Sequence, residues 1–259
     1  MPVNKMRLVR FVLFLIPALI ISNLFRFQII DPQALLPDTP KLALALRVLG
    51  EGSGVLLGAL LALYFLRKKE NLPFSLFGTS RAYSLILFLI PLIITSFLGV
   101  SNEMGMDYTL YAIYAVSLSF VYCLMEELGW RGYLKMEFGF LKDKYRYFLI
   151  GFLWYFWHLS FLKDSSFGGN LIFLGMMIFG SWGLGMLMRS TRSLMAVAAF
   201  HLLIQMVFLN GFFKQGLSFN DKLFVFFITL PCFFLIIKRW EKEMELKVAS
   251  EEEEMALMD

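Results

Sequence analysis

The stretch VYCLMEELGWRGYL, Val121 to Leu134, places two adjacent glutamates, Glu126 and Glu127, in an apolar run, with Arg131 four residues after the second. The chain's only two histidines fall in similarly apolar surroundings: His158 in FLWYFWHLS, and His201 in AAFHLLIQMV with Gln205 four residues later. On a helix, positions i and i+4 share a face, so the spacing predicts that Glu127 pairs with Arg131. Glu126 then points about 100° away, off the arginine face. A carboxylate left free in a partly dry cavity is suited to take a proton from water. A histidine on a facing helix can share that water, and a second histidine with an amide can stabilise an oxyanion. The types and spacing thus describe a hydrolase site with no serine or cysteine nucleophile. Two histidines and a carboxylate can also hold zinc. The H-E-x-x-H helix that usually does so is absent, and zinc is not favoured. A further polar pair inside an apolar run, Arg47 and Glu51, is one helical turn apart and reads as structural.

The elements that must position these groups are membrane helices. The 259-residue chain is 59% hydrophobic, with 29 Phe and 15 Met, and only 17% of its residues are charged. Runs of about twenty apolar residues separate short charged patches, as in repeated transmembrane helices. An all-α, polytopic fold with eight spans is expected, at 8–25, 43–66, 82–100, 108–130, 147–162, 170–188, 193–212 and 221–238. The N-terminal run is too long for a signal peptide and reads as a first span that stays. Alternating the loops puts seventeen Lys and Arg on the side of the N-terminus and five opposite, so both termini are expected in the cytoplasm. The net charge of +4 needs no nucleic acid to explain it, because most of these residues flank span ends. Cys123 and Cys232 lie in apolar runs without C-x-x-C spacing, which argues against a disulfide or a cysteine zinc site. A single transmembrane domain over 1–240 is expected. It is followed by a charged cytoplasmic tail over 241–259 that first extends the last helix and then loses structure.

Counted from the nearest cytoplasmic charges, the glutamates, His158 and His201 lie at depths of about 12, 18 and 14 Å, at 1.5 Å per helical residue. Three helices therefore put polar groups in one layer. This predicts an active-site cavity among spans 4, 5 and 7, open to cytoplasmic water.

These residues also carry a resemblance. EELGWR fits an EExxxR motif, and His158 and His201 fit the second and third motifs that follow it. The chain resembles the CPBP family of intramembrane glutamate proteases, CAAX prenyl protease or Abi-type. It includes the Ras-converting CAAX prenyl endopeptidases and bacteriocin-processing and immunity proteins. The resemblance spans roughly 108–210. It implies that Glu126 activates water, with Glu127 its motif partner and Arg131 the motif arginine. His158 would help hold the water, and His201 would stand on the oxyanion side. It further implies catalysis without a metal, a lipid bilayer as surroundings, and a peptide or membrane-protein substrate, such as one with a prenylated C-terminus. A compact chain of this kind suits a prokaryotic cell membrane. Two positions depart from the family pattern. Trp154 stands where Phe is frequent, and Gln205 where Asn or Asp is usual. Gln keeps the amide donors but is one methylene longer, which puts oxyanion geometry in question. Three other readings remain beside the protease. The histidines can be interhelical hydrogen-bond glue. The chain can be a catalytically weak or inactive scaffold with an immunity or regulatory role. A proton-coupled transporter ranks last, for want of paired broken helices or similar halves.

Overall fold

The computed structural model describes residues 5–65, 72–163 and 166–256. Arg67, Lys68 and Lys69, counted above among the cytoplasmic positives, lie outside the described residues, as does the end of the tail. The α-helices are α1 Lys5–Arg26, α2 Pro32–Leu35, α3 Pro40–Leu60, α4 Arg81–Leu98, α5 Tyr108–Glu127, α6 Lys135–Glu137, α7 Asp143–His158, α8 Phe167–Thr191, α9 Leu194–Ile204, α10 Gly211–Gly216 and α11 Phe219–Ala256. No strand occurs among the described residues. Among the described residues, six helical stretches are long and apolar enough to cross a membrane: Lys5–Arg26, Pro40–Tyr64, Arg81–Leu98, Tyr108–Glu137, Phe167–Thr191 and Phe219–Ser250. The other two expected spans are shorter. α7 has 16 residues and stops at His158, where Leu159 turns left-handed at φ 49°. α9 continues only to Leu209, where Asn210 begins the next helix. The two histidines are thus carried by the two short helices. At its far end α11 stays helical to Ala256, where the charged composition had predicted loss of structure.

The chain forms two compact units, each built from two separate segments. The first comprises Met1–Pro73 and Ser117–Met186. In it α1 and α3 pack closely, because α3 presents Gly50, Gly54 and Gly58 at four-residue spacing. A side chain on Gly54 would meet the Pro17 carbonyl at 2.5 Å, and one on Gly58 would run into the Phe14 carbonyl. Small residues that let backbones touch are a main source of helix association in lipid, where apolar surface gives no drive of its own. Gly58→Leu is therefore expected to lower stability by about 1–3 kcal/mol or more through overpacking. Thermal unfolding in detergent measures it, and an unchanged melting temperature would remove this contact as a determinant of the fold.

The same unit fixes α6 and α7 against α1. Arg10 donates twice to Glu137, at 2.9 and 2.7 Å. Trp157 Nε1 donates to the Ala18 carbonyl at 2.7 Å, and the Trp157 carbonyl accepts from Asn23 and Arg26 at 3.3 and 3.1 Å. Gly129, just past the glutamates, is seated so tightly on Val55 and Phe14 that no side chain fits there.

The second unit comprises Phe74–Val116 and Leu187–Asp259, with α4, α9 and α11 at its centre. The start of α9 is pinned on every side. The Leu194 and Met195 amides donate to the Ser75 and Leu76 carbonyls at 3.1 and 3.0 Å. Ser193 caps the helix through the Ala196 amide at 3.1 Å and shares a 2.7 Å hydrogen bond with Ser84. Gly78, at φ 59°, passes too close to the Thr191 carbonyl for any side chain. Behind that anchor α9 is buried at nearly every residue from Leu194 to Leu203.

Candidate active site

In the first unit, Glu126 and Glu127 are fully buried and Arg131 is 1% exposed. α5 runs into a π-helical turn, Leu128–Leu134, which carries the arginine. Such widened turns recur at functional sites because they re-aim side chains that an α-helix would stack. Arg131 Nη1 donates to Glu127 Oε1 at 3.0 Å, an ion pair closed over one turn. The guanidinium carbon lies over the Trp154 ring, 4.1 Å from its centroid. The same indole turns its Nε1–H the other way and donates to Glu126 Oε2 at 2.8 Å. Glu126 Oε1 has no hydrogen-bond partner. Each glutamate is thus held through one oxygen, and the difference lies in the partner: a guanidinium for Glu127 and a neutral indole N–H for Glu126.

His158, one turn after Trp154, reaches back so that its Nδ1 donates to the Trp154 carbonyl at 2.8 Å. That bond sets the tautomer: with Nδ1 carrying the proton, Nε2 is the acceptor of the neutral ring. The edges of Trp157 and Phe173 hold the ring plane, at 4.7 and 5.3 Å between centroids. Tyr122, one turn before Glu126, is buried with its hydroxyl in hydrogen-bonding reach of Glu126, and it also feels the charges of Arg26 and Glu51. Glu51 sits between Arg47 at 3.7 Å and Arg26 at 3.9 Å, so the pair read from spacing is a triad.

In the second unit, His201 and Gln205 are 2% and 8% exposed. Gln205 Nε2 donates to His201 Nε2 at 3.3 Å. Asn210 Nδ2 reaches Gln205 Oε1 at 3.5 Å. A second π-helical turn, Gln205–Leu209, begins at this glutamine. Its wider spacing brings Asn210 back under Gln205, so the amide is oriented from both sides. Glu126, Glu127, Arg131 and His158 thus come together through Trp154 in one unit, and His201 with Gln205 in the other. Among the described residues, no three of His, Cys, Asp and Glu assemble into a metal-holding group. The sequence reading missed the Trp154 donor, which it took for an aromatic swap, and it missed Asn210. Trp154 had a signal, lying one turn from His158 on the same face. Asn210 had none, because only the π turn brings it round.

The fold and these groups define a multi-pass helical membrane protein with buried ionisable residues where lipid-facing positions would carry none. Residues 108–207 match the family model described as type II CAAX prenyl endopeptidase Rce1-like. The resemblance seen in EELGWR, His158 and His201 is thereby shown, over the segment that holds all six candidate residues. Proteins of this family are generally proteases. No curated protein and no solved structure matches the chain.

Proposed function

We propose that the chain is an intramembrane endopeptidase that hydrolyses a peptide bond with water activated by Glu126. The observation that carries this reading is the asymmetry of the two glutamates. Glu127 is neutralised by the Arg131 guanidinium, while buried Glu126 is held through Oε2 by a neutral indole N–H that leaves its charge unpaired by that bond. Oε1 takes a proton from water as the oxygen adds to the scissile carbonyl carbon. His158 Nε2 accepts the second water hydrogen and so orients the attack. The oxyanion that forms is met by the free N–H of the Gln205 amide and by His201. Collapse breaks the C–N bond, and the proton held by Glu126 passes to the leaving amine. No step calls for a metal ion. In this reading the chain crosses the cell membrane eight times with both termini in the cytoplasm. The two histidine helices form the short crossings, and the cavity among spans 4, 5 and 7 opens to cytoplasmic water. The substrate is a peptide or membrane protein, and the family match favours one with a prenylated C-terminus. Purified protein in detergent, given a farnesylated CAAX peptide and its unprenylated twin, is expected to cleave the first faster. Cleavage of neither, or of the unprenylated peptide alone, would count against this substrate class.

Gln205 supports a second reading, a catalytically weak scaffold with an immunity or regulatory role. The two readings separate by substitution. If Gln205 is an oxyanion donor, Gln205→Leu costs about 2.7–4 kcal/mol of transition-state stabilisation, the scale for one donor. Gln205→Asn, which restores the family's usual side chain, keeps or raises the rate. A Leu variant that cleaves like wild type removes Gln205 from the mechanism.

A further inference from the structure

We infer that Trp154 is the positioning residue of Glu126, acting through its indole N–H, and that it also keeps Arg131 from capturing that glutamate. The inference rests on the reading of Glu126 as the base. A glutamate has three rotatable bonds, so its two oxygens exchange places unless a partner distinguishes them. Trp154 supplies the selection. Its Nε1–H is a donor and nothing else, it is 3% exposed, and it meets Oε2 at 2.8 Å, leaving Oε1 as the working oxygen. The ring's second task is separation. Arg131 uses Nη1 on Glu127, while its Nε and Nη2 have no hydrogen-bond partner. An arginine fork with spare donors beside a second carboxylate would ordinarily bind it in two-point fashion. Here one indole engages both groups: its face lies 4.1 Å from the guanidinium carbon, and its N–H holds Glu126 Oε2 in competition with the arginine. The third task is register. The carbonyl of the same residue fixes His158 with Nδ1 protonated, so base and histidine are both set from one residue. The phenylalanine frequent at this position in the family supplies the flat ring but no donor. The N–H is therefore a feature of this chain, and not a neutral exchange of one aromatic for another.

Trp154→Phe keeps an aromatic ring at the position and removes the donor together with part of the ring system. The expected result is a fall in kcat of about 10- to 100-fold, the equivalent of one hydrogen bond to a charged group. KM should stay within about twofold, and the variant should remain folded with a lowered melting temperature, because a smaller ring and a lost buried hydrogen bond both cost stability without removing the substrate contacts. A second readout needs no turnover. The chain has 5 Trp, and the indole NMR signal missing from Trp154→Phe identifies Trp154. That signal should shift in Glu126→Gln, because the acceptor of the indole N–H changes from a carboxylate to an amide. A Trp154→Phe enzyme with wild-type kcat, or an indole signal indifferent to Glu126→Gln, overturns the inference. Glu126→Gln cleaving like wild type would instead sink the functional reading. Glu126→Gln inactive with Trp154→Phe fully active sinks only this one. The indole signal decides even for protein that cleaves nothing.

Discussion

Glu127→Gln is expected to unfold first of all the single variants at the site. The carboxylate it removes is fully buried and lies 3.0 Å from a guanidinium that is 1% exposed. Removing one partner of such a pair leaves the other charge uncompensated, at a cost of about 3–5 kcal/mol. Trp154 does not relieve it, since a ring face over a guanidinium contributes only about 0.5–2 kcal/mol and is already present in the wild type. Glu127→Gln with Arg131→Gln takes out both charges, and it should regain part of the lost stability while remaining poorly active. Thermal unfolding of the three proteins in one detergent measures this. Equal melting for Glu127→Gln and wild type would mean that the pair is not structural.

Glu126→Gln is expected to do the opposite. The amide keeps the size of the side chain and an oxygen to accept from Trp154, so the packing around it persists. What disappears is a group that can take a proton from water. Loss of a positioned general base lowers rates by about 10²–10⁴-fold. Melting should change little, or even rise, because active-site carboxylates are held for function at some expense of stability. Cleavage of a farnesylated CAAX peptide, followed by mass analysis of the products, gives the rate.

Part of this site is legible in the sequence alone. The Glu127–Arg131 pair follows from a spacing of four, because one helical turn brings such residues together. The membrane class followed from long apolar runs, and the histidines stood out because ionisable groups in such runs are costly. What the reading could not supply depends on direction and on distant packing. Trp154 looked like a ring exchanged for a ring, since a sequence does not say where an indole N–H points. The π turns at Leu128–Leu134 and Gln205–Leu209 have no local signature; they arise where Gly129 is pressed on Val55 and where Asn210 closes on Gln205. Eight spans were counted from hydropathy, and six helices reach crossing length. The difference lies in α7 and α9, whose ends are set by a left-handed Leu159 and by the Asn210 cap. The interleaving of the two units was equally hidden, because a split at Ser117 or Met186 falls inside a continuous helix.

The central claim is that the neighbouring glutamates do different work, Glu126 on water and Glu127 on the fold. The most direct test measures melting temperature and peptide cleavage on the same preparations of wild type, Glu126→Gln and Glu127→Gln. The account predicts a stable, inactive Glu126→Gln and an early-melting Glu127→Gln. A stable, inactive Glu127→Gln beside an early-melting Glu126→Gln would contradict it, and would assign the water to the glutamate that the arginine holds.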